Sequence, residues 1–168
     1  MNKQTLQTNT WSVQALTKMA LITALYIVVT LFLAPFSFGA IQLRFSEMFN
    51  YLAIFNKRYI AAATLGVAIS NFASPLGLVD VVIGSLSTLV VLLISYYSTK
   101  QINSKIQKMV ITAVICTISM FTVAGQLTYF YQLPFFYTWL TVAIGELLSM
   151  SVGGIIIYWV SEKIDLTK

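Results

Sequence analysis

The stretch Phe38 to Phe55 reads FGAIQLRFSEMFNYLAIF. Without Arg44 and Glu47 it is apolar enough to cross a bilayer, and those two charges decide how the chain must be built. A charge left at a helix centre in lipid costs roughly 2.5–3.5 kcal/mol on insertion scales, so such residues face a protein interior, a partner or a ligand. On a helix, positions 44 and 47 share a face that Asn50 and Tyr51 extend by another turn. The spacing predicts one wall of a polar pocket inside a small membrane bundle.

Composition describes what surrounds that wall. Of 168 residues, 58% are apolar and 9% charged, and the mean hydropathy is +0.85. These values exclude an ordinary soluble domain and predict an all-α integral membrane protein. With no histidine and one cysteine, a zinc site, a haem ligand, a Cys–His nucleophile and a disulfide framework all lack their parts, so no metal or cofactor is expected. Cys116, among Ile115, Thr117 and Ile118, reads as a small buried hydrophobe. The net charge of +5 is scattered between apolar runs, which points to membrane orientation rather than to nucleic acid.

Working outward, the apolar runs predict six spanning helices at about 19–36, 39–55, 59–72, 79–97, 109–129 and 135–160, in a single membrane domain over 1–168. A cleavable signal peptide competes for the first run, but the polar lead up to Trp11 and the missing small-residue cleavage pattern argue against it. The third run covers only about 20 Å at a rise of about 1.5 Å per residue, and Asn71 falls near its outer end. Asp80 opens the fourth, with Gly84, Ser85, Ser87 and Thr88 forming a small hydroxyl-bearing surface below it.

Six spans place both termini on one side. If that side is the cytoplasm, Lys3, Lys18, Lys57, Arg58, Lys100, Lys105, Lys108, Lys163 and Lys168 are all inside, so nine of ten basic residues obey the positive-inside rule. Arg44 alone departs from it. Glu162 and Asp165 belong to the tail, which leaves Glu47, Asp80 and Glu146 in the outer half. Glu47 is then about 12 Å deep, Glu146 about 16 Å, and Asp80 near the rim.

Three acids against one arginine leave room for a cationic or hydrogen-donating ligand, or for an acid that stays protonated. A guanine-like edge offers two adjacent N–H donors that one carboxylate accepts in parallel. Glu47 or Glu146 suits that task, Asp80 suits a pendant amine, and Arg44 suits a carbonyl. In a plainer arrangement Arg44 and Glu47 pair along their helix and Glu146 bonds a hydroxyl across the bundle. Small residues recur at four-residue spacing at Ala20 and Ala24, at Ala62, Gly66 and Ser70, and at Gly145, Ser149 and Gly153. Internal packing suffices for the last two ridges, while the first is equally suited to another subunit. There is no GxxxxGK[ST] phosphate loop, and no pair of Gly/Pro-interrupted halves. A non-enzymatic, ligand-binding membrane subunit without its own ATPase site fits best.

Three segments carry a resemblance: Gln42-Leu43-Arg44-Phe45-Ser46-Glu47, the run from Gly77 through Asp80 and Gly84 to Thr88, and Gly145-Glu146. Together they resemble the QueT family, substrate-binding S components of energy-coupling factor transporters for queuosine precursors, and the likeness extends from the first helix to the sixth. It implies a compact six-transmembrane-helix S-component bundle in the bacterial cytoplasmic membrane, with its pocket open to the outside. It also implies as partners membrane lipid, the transmembrane coupling protein EcfT and two ABC-type ATPases. The implied ligand is a 7-deazaguanine such as preQ0 or preQ1, or queuine or queuosine. Arg44, Glu47, Asp80 and Glu146 are the implied binding residues, with Asn71 and Ser85, while Ala20 and Ala24 match the ridge that contacts the coupling protein. An S component for another vitamin, a proton-coupled carrier using Glu47 and Glu146 as a relay, and an assembly subunit are the competing readings.

Overall fold

The computed structural model describes residues 12–39 and 41–167. Lys3 and Lys168, expected on the inner side, and Trp11 lie outside the described residues. All regular structure within them is helical. The α-helices are α1 (Val13–Phe32), α2 (Ala34–Ser37), α3 (Arg58–Ser70), α4 (Leu78–Thr99), α5 (Lys105–Ser119), α6 (Phe121–Tyr131) and α7 (Phe135–Lys163). Two 3-10 helices, Phe45–Ile54 and Asn71–Ala73, complete the set.

Four units are long and apolar enough to cross a membrane: α1, α4, α7, and α5 with α6 taken together. Their outer faces carry large exposed hydrophobics such as Phe32, Leu78, Val90 and Ile155. Water would penalise so much apolar surface, whereas lipid accepts it. The protein is an all-α, multi-pass membrane protein.

The second predicted span departs most from expectation. Residues 42–44 are not helical, and Gln42 adopts φ 53°, a left-handed conformation that a continuous helix through 39–55 cannot contain. The 3-10 helix begins only at Phe45, and at about 2 Å per residue its ten residues reach about 20 Å. Eight of those ten side chains are buried, so the segment faces protein on nearly every side. Close packing on α7 explains why. Gly145 abuts the Ile41 carbonyl, and Gly153 abuts Met48 so closely that a Cβ at either glycine would collide. Runs of 3-10 helix beyond three or four residues are uncommon; this one is enclosed by its neighbours rather than stabilised alone.

Smaller departures follow the same logic. The predicted helix 59–72 is α3 plus the turn Asn71–Ala73, and the predicted helix 109–129 is broken at Met120 into α5 and α6. The ridges of α3 (Ala62, Gly66, Ser70) and α7 (Gly145, Ser149, Gly153) are buried in the bundle. At Gly66 the Tyr26 ring of α1 rests directly on the backbone, since a Cβ there would lie 2.8 Å from Tyr26 Cβ and Cγ. Nearby, Thr23 Oγ1 donates to the Ala62 carbonyl at 2.9 Å, tying α1 to α3. Ala20 and Ala24, by contrast, are exposed on the outer face of α1.

The two ends of the bundle differ. At one, Lys57 lies 6.0 Å from the Tyr97 ring centroid, Asn56 Nδ2 donates to the Thr167 carbonyl at 2.7 Å, and Lys105 pairs with Glu162 at 2.8 Å. The basic loops and the C-terminal tail therefore gather there. The other end carries the turns around residues 38–39, 41–44, 74–77 and 132–134.

Candidate functional site

Below the second end, Arg44, Glu47, Asn50, Asn71, Asp80 and Glu146 line one cavity of about 40 Å³. They come from four separate elements. Arg44 and Glu47 belong to the entry and first turn of the 3-10 helix, with Asn50 one turn on. Asn71 caps α3, Asp80 occupies the first turn of α4, and Glu146 projects from the middle of α7. Ser87 and Thr88 of α4 and Thr122 of α6 add hydroxyls to the wall.

Glu47 is held from two sides. Tyr26 Oη donates to its Oε1 at 2.7 Å, and Asn50 Nδ2 donates to its Oε2. Arg44 Nη1 stands 3.7 Å from Oε1, an ion pair rather than a tight hydrogen bond. The Arg44 guanidinium also lies 5.2 Å from the Phe38 ring centroid, within cation–π range. One helical turn beyond Tyr26 on α1, Thr30 and Ser46 share a 2.6 Å hydroxyl bond, which fixes the entry to the 3-10 helix.

On the opposite wall, Ser74 Oγ donates to Asp80 Oδ2 at 2.5 Å, and Asn71 Nδ2 donates to the Asp80 backbone carbonyl at 2.9 Å. That amide lies over Gly84, where a Cβ would stand 2.6 Å from Nδ2.

Several buried polar atoms that belong to the cavity residues have no partner: Glu146 Oε1, Asn50 Oδ1, Asn71 Oδ1 and Arg44 Nε. Glu146 is only 2% exposed. The plainer arrangement therefore holds for half of its terms, because Arg44 does approach Glu47 while Glu146 Oε1 finds no hydroxyl across the bundle. An unpaired buried carboxylate oxygen forfeits its hydration without compensation. The open set holds three acceptors and one donor, a pattern suited to a donor-rich guest.

Ser85 requires a correction of placement. Its Oγ donates to the Val81 carbonyl of its own helix at 2.6 Å, and it is not part of the cavity wall. The hydroxyls that are part of it, Ser87 and Thr88, follow Asp80 and Gly84 along one helical face at i, i+4, i+7 and i+8. Tyr26 is a functional neighbour that the reading of charges overlooked. Its signal is in the sequence, since Thr23, Tyr26 and Thr30 form a polar stripe along the apolar stretch of α1 after Lys18, and all three are buried. Cys116 is 1% exposed and belongs to the hydrophobic core while also touching the cavity.

The cavity is small. A second space of about 620 Å³ lies against it, lined by Phe38, Gln42, Leu76, Leu127, Tyr131 and Tyr137 among others. Asp80 lines both. This vestibule is built from the turns at the end opposite the basic loops.

With that geometry in view, the comparisons with known proteins are specific. The family model described as QueT transporter matches residues 16–163. The chain belongs to the QueT family. It is 39% identical over 161 residues to a protein of Lactococcus lactis subsp. cremoris (strain MG1363) named "Queuosine precursor transporter QueT", across 89% of this chain and 93% of that one. No solved structure matches the chain. Membership in the QueT family makes this a transporter-family protein of the cell membrane, and the matched range takes in every lining residue of the polar cavity.

Proposed function

We propose that this chain is the substrate-binding S component of an ATP-driven energy-coupling factor importer and takes up a queuosine precursor from outside the cell. The observation that carries the reading is the unpartnered Glu146 Oε1, facing the same cavity as Glu47 and Asp80 in a chain of the QueT family. A 7-deazaguanine supplies what that cavity lacks. Its lactam and amino edge offers parallel N–H donors to a carboxylate, and in preQ1 an aminomethyl cation answers the excess of acids over Arg44. Arg44, Glu47, Asn71, Asp80 and Glu146 are the binding residues in this reading, and Asn50 joins them through its open Oδ1. Ser85 is replaced by Ser87 and Thr88.

Ligand pockets for molecules of this kind occupy about 300–1,000 Å³, far more than the polar cavity alone. Binding in this reading separates the polar side chains and uses the vestibule, whose volume of about 620 Å³ suffices.

The chain forms one membrane domain over 1–168 that crosses six times in this reading. The segments 45–54 and 58–70 are short crossings wrapped by the four long ones. Both termini and the basic loops lie in the cytoplasm, as the positive-inside rule favours, and the vestibule opens outward. Transport energy comes from EcfT and two ABC-type ATPases, because the chain has no phosphate loop. The exposed Ala20–Ala24 ridge of α1 is suited to close contact with EcfT. The decisive test is mass spectrometry of the small molecule that copurifies with the protein from cells fed preQ1. A deazaguanine supports the proposal; a flavin, thiamine or folate in its place overturns the substrate while leaving the S-component role. Uptake by this chain alone in vesicles, driven by a pH gradient, would instead establish the proton-coupled carrier.

A further inference from the structure

Gln126 lies in the middle of α6, is 6% exposed, and has no hydrogen-bond partner for either Nε2 or Oε1. Asn50 and Asn71 each use their amide NH2 group. Gln126 uses neither end. A buried carboxamide with no partner is uphill, and such groups in native proteins call for an explanation.

Its position supplies one. Thr122 and Val123 of α6 line the polar cavity, while Leu127 and Tyr131 of the same helix line the vestibule. At about 100° per residue, Gln126 points about 40° from the direction of Thr122 and about 60° from that of Val123, between the two, and sits about 6 Å above Thr122. Gln126 itself lines neither space, but on the helix it stands one turn above the cavity-facing Thr122, at the level where the cavity gives way to the vestibule. Asp80, which lines both spaces, marks that level from α4.

We propose that Gln126 is a ligand-contacting, specificity-determining residue at this neck, where it hydrogen-bonds the substituent that projects outward from a heterocycle held below by the acids. The inference rests on the functional reading above. A bound heterocycle too large for the inner cavity must extend through the neck, and its outward substituent there meets Asp80 on one side and Gln126 on the other. A carboxamide carries donor and acceptor together, so it satisfies an amine or a hydroxyl alike.

The test pairs two ligands with two readouts on the full-length protein in detergent. Affinities for preQ1 and for 7-deazaguanine, which lacks the substituent, are measured by calorimetry for the wild type, Gln126→Leu and the volume-conserving Gln126→Met, alongside their melting temperatures. Removing an unpartnered buried amide leaves the melting temperature unchanged or raises it. At the same time preQ1 affinity falls about tenfold or more and 7-deazaguanine affinity changes less than about threefold. Equal losses for both ligands, preQ1 affinity within about twofold of wild type, or a lowered melting temperature in both variants overturns the role of Gln126. A wild-type protein that binds neither ligand overturns the functional reading itself, so the two failures are separate results of one experiment.

Discussion

Tyr26, fully buried on α1, donates a 2.7 Å hydrogen bond to Glu47 Oε1 on the cavity wall. This bond joins the helix that bears the exposed Ala20–Ala24 ridge to the carboxylate at the centre of the candidate site. Glu47 would otherwise rely on Asn50 and on an arginine 3.7 Å away.

Tyr26→Phe keeps the ring and removes only the hydroxyl. A hydrogen bond to a charged group contributes about 1.5–3 kcal/mol, so denaturation in detergent should show a loss of about that size. Ligand affinity should fall too, because Glu47 is freed to turn toward Arg44. A variant with wild-type stability and affinity would show that the bond does nothing for either.

Gly66→Ala places a methyl against the Tyr26 Cβ and Cγ, atoms that cannot rotate away. Overpacking of this kind costs about 1–3 kcal/mol. Thermal melting should drop accordingly, and Gly66→Ala should cost less in a Tyr26→Ala background than in the wild type if the clash is its cause.

Gly84→Ala meets only the far end of the Asn71 side chain. Stability should change by less than about 1 kcal/mol. Displacing the amide from the Asp80 carbonyl should nonetheless weaken preQ1 binding, a separation of effects that paired melting and titration experiments would reveal. Ser85→Ala, off the cavity wall, should leave preQ1 affinity unchanged within error.

Much of this arrangement was legible in the chain. Charges in an apolar background identify Arg44, Glu47, Asp80 and Glu146 whatever the fold, because burial of a charge needs a reason. What hydropathy could not distinguish was lipid from protein as the surroundings of an apolar side chain. Phe45–Ile54 therefore read as an ordinary span, although it is enclosed by its neighbours. The left-handed turn at Gln42 and the break at Met120 are imposed by packing, with no Gly or Pro at either position to announce them. Ser85 is a different case: counting helical spacing from Asp80 selects Gly84, Ser87 and Thr88, and passes Ser85 by. Tyr26 carries no charge, so charges in an apolar background do not point to it, and its hydroxyl is legible only as part of the Thr23–Tyr26–Thr30 stripe.

The central claim is that Glu146 accepts hydrogen bonds from a deazaguanine within the cavity it shares with Glu47. Titration of preQ1 into purified wild type and Glu146→Gln tests it most directly. Loss of a buried charge-assisted contact costs on the order of 2–5 kcal/mol, so the account predicts a Kd raised about thirtyfold or more with the melting temperature retained. Equal preQ1 affinities for the two proteins would contradict it.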